Sequence, residues 1–171
     1  QPDLNWLKSR SDTSDHNIVD SVRGSSKYIK SNSEDAEATS ATGVSGFLAD
    51  GFSVGSDQTT NKNSSNFVSW NWKAGTTSGI TTTGADITPS SYSMNATSGI
   101  SIIKFTGNGT DGAKIAHGLG AVPELIISKR LENSNYWAVY HKRDNTDYLV
   151  FNTGAASSDA PIWKDTDPTS V

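Results

Sequence analysis

Two stretches of this chain carry the spacing of known reaction centres. Gly51-Phe52-Ser53-Val54-Gly55 has the Gly-x-Ser-x-Gly form of a nucleophile elbow, with Asp57 or Asp111 and His117 or His141 following to complete a triad. An elbow needs a strand before the serine and a helix after it, so that the hydroxyl sits at a helix N-terminus. Ser56-Asp57-Gln58-Thr59-Thr60-Asn61 shows no apolar helical period, so the sequence predicts a strand with a solvent-facing Ser53, followed by a long polar loop or hairpin tip from Ser56 to Asn66. Gly107-Asn108-Gly109-Thr110-Asp111-Gly112 fits the dinucleotide fingerprint, which places a pyrophosphate on the N-terminus of a following helix. Gly118, Gly120 and Pro123 leave no room for that helix, and a turn between strands is the reading they favour.

Metal chemistry finds little to work with. The three histidines lack ligand spacing, cysteine is absent, and His117, before Gly118-Leu119-Gly120, suits a turn hydrogen bond. Asp165-Thr166-Asp167 offers oxygens but lacks the remaining acidic position and the glycine of a calcium loop. No carboxylate pair stands out for glycosidase work. We therefore assign no catalytic residue, no cofactor and no metal.

Aromatic residues carry more. In Phe67-Val68-Ser69-Trp70-Asn71-Trp72-Lys73 the period of two puts Val68, Trp70 and Trp72 on one face. Trp137 and Val139 share a face in Tyr136 to His141, so Trp70, Trp72 and Trp137 are expected in the core. Tyr136 and Tyr140 fall on the opposite face. Exposed rings near Asn and Asp stack on the apolar face of a sugar, which makes Tyr136 and Tyr140 the candidate ligand-binding residues. The same face would serve equally to meet the other repeat or another subunit.

These residues are positioned by a strand-rich chain that repeats itself. Pro2-Asp3-Leu4-Asn5-Trp6-Leu7-Lys8 and Pro123-Glu124-Leu125-Ile126-Ile127-Ser128-Lys129 share Pro, acid, Leu and Lys at an offset of 121, and the second is the most apolar run of the sequence. His16 and Ile18 fall on Trp137 and Val139 at that offset. At 120, Tyr28-Ile29 falls on Tyr148-Leu149 and Asn32-Ser33 on Asn152-Thr153. A register held this long with one deletion points to duplication. Strands are expected at Leu4–Lys8, His16–Val22, Lys27–Lys30, Phe52–Val54, Phe67–Lys73, Gly99–Phe105, Pro123–Lys129, Tyr136–His141 and Tyr148–Asn152. Asn32 to Ala38, with Asn32 or Ser33 as cap and Glu34 and Asp35 in the first turn, is the one expected helix. Phe47-Leu48 reads as loop between Gly43, Gly46 and Gly51.

This pattern predicts an all-β protein, a β-sandwich or jelly-roll-like (concanavalin-like) architecture of two related modules with little helix. The first module covers 1–75, a Thr/Ser/Gly-rich linker or set of edge strands covers 76–98, and the second covers 99–171. Counterparts of Phe52–Gly55 and Phe67–Trp72 are missing from the second half. The chain also starts at Gln inside a repeat motif, and we read it as a window on a longer polypeptide.

Bulk properties narrow the partners. The 171 residues carry a net charge of −4 and only 33% hydrophobic residues, but five Trp, five Tyr and five Phe argue for a packed core over disorder. The acidic balance offers no footprint for nucleic acid, and no apolar run approaches the ~20 residues of a membrane span. Lack of cysteine suits assembly in a reducing cytoplasm.

Several blocks resemble a family of bacteriophage tail-fibre-like and virion proteins abundant in marine phages. They are Pro2 to Arg10, Asp20-Ser21-Val22-Arg23-Gly24, Ser31-Asn32, Asp50 to Asp57, Val68 to Gly75, Phe105 to Thr110, and His117 to Gly120 with Pro123. They cover most of the chain in the family's order; Asn71 departs, standing where many relatives carry Cys. The resemblance implies a lectin-like β-sandwich module of a repetitive appendage, with no catalytic residues to carry over. It implies a location in the virion and, as partners, other copies of the chain (a homo-oligomer, a trimer favoured), other virion proteins and a host-surface glycan. The expected function is adhesion through exposed loops. A capsid or tail decoration or spacer module is the alternative, and a glycan depolymerase the remote one.

Overall fold

The computed structural model describes residues 1–143 and 147–153, together with Trp163 and Pro168. The chain is all-β: twelve strands and one single-turn helix among the described residues. Strands β1 (Leu4–Ser9), β2 (Asn17–Asp20), β3 (Lys27–Lys30) and β4 (Ala38–Thr39) form an antiparallel meander. β7 (Phe67–Trp72) then returns beside β1 to close the order β4-β3-β2-β1-β7. That return is a Greek-key connection. It encloses the hairpin of β5 (Val44–Leu48) and β6 (Gly51–Val54) and the helix α1 (Gln58–Asn61). β8 (Ser91–Asn95) and β9 (Ile100–Lys104) make a second hairpin, and β10 (Leu125–Ser128), β11 (Ala138–His141) and β12 (Leu149–Val150) a three-stranded sheet.

Both faces of the five-stranded sheet are covered, which makes the molecule a layered sandwich. Side chains alternate along β1. Asn5, Leu7 and Ser9 are buried on one face, where Leu7 packs with Val19, Val44 and the hairpin residues Phe47, Phe52 and Val54. Leu4 and Trp6 point to the other face and meet Ile18, Ile29, Leu131 and Trp137. Trp137 is only 3% exposed, and its indole N–H donates to the backbone oxygens of Lys30 (3.0 Å) and Ser33 (3.1 Å). The two halves of the chain therefore share a core, sealed by one tryptophan. A buried Asp3 holds the remaining layer: its carboxylate accepts from Ser21 Oγ (2.8 Å), Ala74 N–H (2.9 Å) and Ser93 Oγ (3.0 Å).

The internal repeat is written into the pairing. Adding 121 to the β1–β2 pair Leu4↔Asp20 gives Leu125↔His141, the pair observed between β10 and β11. With 121 for β2 and 120 for β3, Ile18↔Ile29 becomes Val139↔Leu149, again as observed. The loop hydrogen bonds obey the same rule. His16 N–H donates to Asn32 Oδ1 (2.9 Å) and Trp137 N–H to Asn152 Oδ1 (3.0 Å). Ser21 N–H donates to Asp3 O (2.8 Å) and Lys142 N–H to Glu124 O (3.0 Å).

Several expectations need correction. Asn32 to Glu37 form no helix. The Asn32 side chain is spent on His16 and Asp15, Glu34 O accepts from Asn135 N–H, and Glu37 N–H donates to Leu131 O, so contacts with 129–135 outweigh a weak local preference. Among the described residues the one helix is α1, inside the stretch read as polar loop. Asp57 caps it, accepting from Thr59 N–H at 2.8 Å. Phe47 and Leu48 belong to strand β5 and not to a loop, with a register shift between Val44 and Gly46 letting the glycine-rich run pair with β6. Trp70 is 45% exposed, not in the core, because it lies on the outer strand of the sheet at the margin of the buried face. The segment 76–98 does contain a strand, β8. Asp165-Thr166-Asp167, Pro161 and Ile162 lie outside the described residues.

Candidate functional site

A cleft of about 330 Å³ opens where the two copies of the repeat meet. From the first copy it takes Trp6 of β1, His16 just before β2, and Ser31 and Asn32 just after β3. From the second it takes Phe151, Asn152 and Thr153, just after β12. Ser31, Asn32 and Ser33 are the repeat counterparts of Phe151, Asn152 and Thr153, so both walls use the same turn of the duplicated meander.

Trp6, His16 and Phe151 line it, and a row of ring contacts runs on from them to Trp70 and Trp137. Trp6 lies 5.7 Å from Trp70, 5.6 Å from Phe151 and 6.1 Å from His16 between ring centroids, all tilted, and Phe151 in turn lies 6.1 Å from Trp137. Tilted contacts at these spacings hold each ring against its neighbours. Trp70 closes the row with nearly half its surface in solvent.

The polar groups are oriented by the backbone. Asn32 accepts from His16 N–H and donates to Asp15 Oδ1 at 2.8 Å. The Asn32 amide and the Lys30 ammonium, 2.9 Å away, hold the Asp15 carboxyl below the usual range, and Asp15 and Asp35 raise the Lys30 pKa. His16 Nδ1 accepts from Trp6 Nε1 (3.3 Å), which requires the neutral ring. Burial, helped by the nearby Lys8 charge, lowers the His16 pKa, with Asp15 opposing. The cleft thus joins flat apolar faces to fixed amides and a neutral imidazole. That set suits a neutral polyhydroxyl ligand.

The residues singled out in the sequence are dispersed. Tyr136 is 37% exposed and packs on Tyr148, with ring centroids 5.6 Å apart. Tyr140 is 1% exposed and meets Trp163 edge-on at 5.9 Å, so its ring is closed to a ligand. Ser53 lies within β6, its hydroxyl bonded to Ser45 Oγ (2.9 Å) and Gly46 O (3.4 Å), and α1 starts only at Gln58. His117 Nδ1 accepts from Leu119 N–H at 3.2 Å, the turn role expected of it. Among the described residues no three His, Asp or Glu side chains converge on a metal position. Sequence reasoning missed the cleft, although the Asn32/Asn152 match of the repeat was its one visible trace.

The profile of a protein family described as a domain of unknown function, DUF7483, matches residues 1–171, the whole chain. This chain is a member of the DUF7483 family. No curated protein and no solved structure matches it significantly. For this DUF7483 chain the cleft built from both copies of the repeat is the candidate site that joins aromatic rings to oriented polar groups.

Proposed function

We propose that this DUF7483 chain is a non-enzymatic adhesion module of a phage virion appendage, made in the host cytoplasm, that recognises a surface glycan at the cleft between its repeats. The single observation that carries the reading is an exposed Trp70 packed at a tilt against Trp6, whose own ring lines the cleft beside its oriented amides and imidazole. An indole stacks on the apolar face of a pyranose while Asn and His groups meet its hydroxyls. The ordered blocks of phage-like sequence support the virion setting. Copies in one appendage would turn weak single contacts into avidity.

Glycan-array binding by the intact chain tests this. Trp70→Ala is expected to weaken binding about tenfold or more, the loss of one exposed aromatic anchor beside the cleft. Tyr140→Phe should leave it unchanged. Failure to bind any bacterial surface glycan would leave the decoration or spacer role. Release of reducing ends from host polysaccharide would instead make the chain a depolymerase.

A further inference from the structure

The two copies of the repeat differ in how their first strand is paired. In the first copy β1 is bonded on both sides, to β2 and, across six residues from Leu4↔Trp72 to Ser9↔Phe67, to β7. Its counterpart β10 bonds β11 in the same register, yet no described strand lies on its other side. Arg10 N–H donates to Asn66 O at 2.7 Å, so alternate residues Leu4, Trp6 and Lys8 turn their backbone groups toward β7. By the offset, Leu125, Ile127 and Lys129 turn theirs toward the open side of β10. The side chains agree: Leu125 is 54% and Ile127 44% exposed, in the most apolar run of the chain. A free, apolar edge of this kind is a template for strand addition.

We propose that the open edge of β10 receives an antiparallel strand of the β7 type, donated by another polypeptide. The occupant follows from the first copy. Transferred by 121, the β1–β7 register sets a Trp opposite Leu125, a second Trp opposite Ile127, a Val opposite Lys129 and a Phe opposite Arg130. Alternating large apolar residues would cover Leu125 and Ile127, and the main chain would satisfy the outward N–H and C=O groups. Pairing of β10 with β10 of a second copy would use only a four-residue strand, whereas the β7 register spans six. The donated strand would join the three-stranded sheet to its neighbour as β7 completes the first.

The probe is a peptide with the sequence of residues 66–75, titrated onto the intact chain and followed by fluorescence anisotropy and amide exchange. Saturable binding is expected, with new protection at the Leu125 and Ile127 amides and none added at Ala138 or Tyr140. Ile127→Pro removes one outward donor, and Ile127→Lys puts a charge under the incoming ring. Each should weaken the peptide at least tenfold, and the lysine variant, at an exposed position, keeps the test valid if the proline variant does not fold. Trp70→Ala made in the chain, with the peptide unaltered, should leave peptide affinity unchanged, which separates this edge from the glycan cleft. No binding, or protection elsewhere, would overturn the proposal. So would a concentration-dependent dimer of the chain alone that Ile127→Lys dissolves, since the occupant would then be a second copy.

Discussion

Replacing Trp137 by alanine should reveal how far one core serves both copies of the repeat. The indole is buried against Ile18, Ile29 and Leu131, and its N–H serves two carbonyl oxygens of the first copy. Trp→Ala in a core costs about 3–5 kcal/mol in lost transfer and cavity energy, and a buried acceptor left without its donor adds about 1–3 kcal/mol. The expected loss is therefore about 4–8 kcal/mol, against a total stability of ~5–15 kcal/mol for a domain. With a urea slope of ~2 kcal/mol/M for this size, the unfolding midpoint should fall by ~2–4 M. Trp137→Phe keeps most of the apolar contact and loses the donor, so it should lose only about 1–3 kcal/mol. Urea unfolding followed by far-ultraviolet circular dichroism measures both. The wild-type chain should unfold in one transition. Two separate transitions, with Trp137→Ala shifting only one of them, would refute the shared core. Equal losses for the alanine and phenylalanine variants would mean that the two hydrogen bonds, and not the packing of the ring, hold the copies together.

Two further outcomes follow from comparing equivalent positions and from titration. Asp3→Ala removes a buried carboxylate from three donors and should destabilise by about 3–5 kcal/mol. Its counterpart Glu124, paired with Lys142 at the surface, should tolerate alanine with no resolvable shift in the same melt. His16 has a folded-state pKa below its ordinary 6.5, so between those two values the unfolded chain binds more protons. Stability is therefore full above pH ~6.5 and falls as the pH drops below it. His16→Gln should flatten that part of a thermal-melting pH profile, and an unchanged slope would place the titrating group elsewhere.

Period-two alternation and turn residues were enough to place most strands, because a strand half-buried in a sandwich must sort its side chains by face. The duplication was legible for the same reason. A pairing register depends on which residues face inward, so a repeated pattern repeats its ladder, as Leu4↔Asp20 and Leu125↔His141 do. Local signals failed where long-range bonds competed with them. Asn32 to Glu37 had a cap and acidic first-turn residues, yet bonded to 129–135 instead of coiling. The hairpin of Phe47 was hidden by glycines that normally announce a loop.

The sequence by itself determined the all-β class, the positions of most strands and the repeated pattern they share, since these follow from local pattern. Only the tertiary structure decided which aromatic rings face water. Trp70 and Trp137 carry the same alternation signal, but one lies at a sheet margin and the other between two sheets. Nor could the chain alone reveal the cleft, whose walls come from Trp6 and Phe151, far apart in sequence. Burial depends on what packs above a face, and that is settled by how the sheets stack.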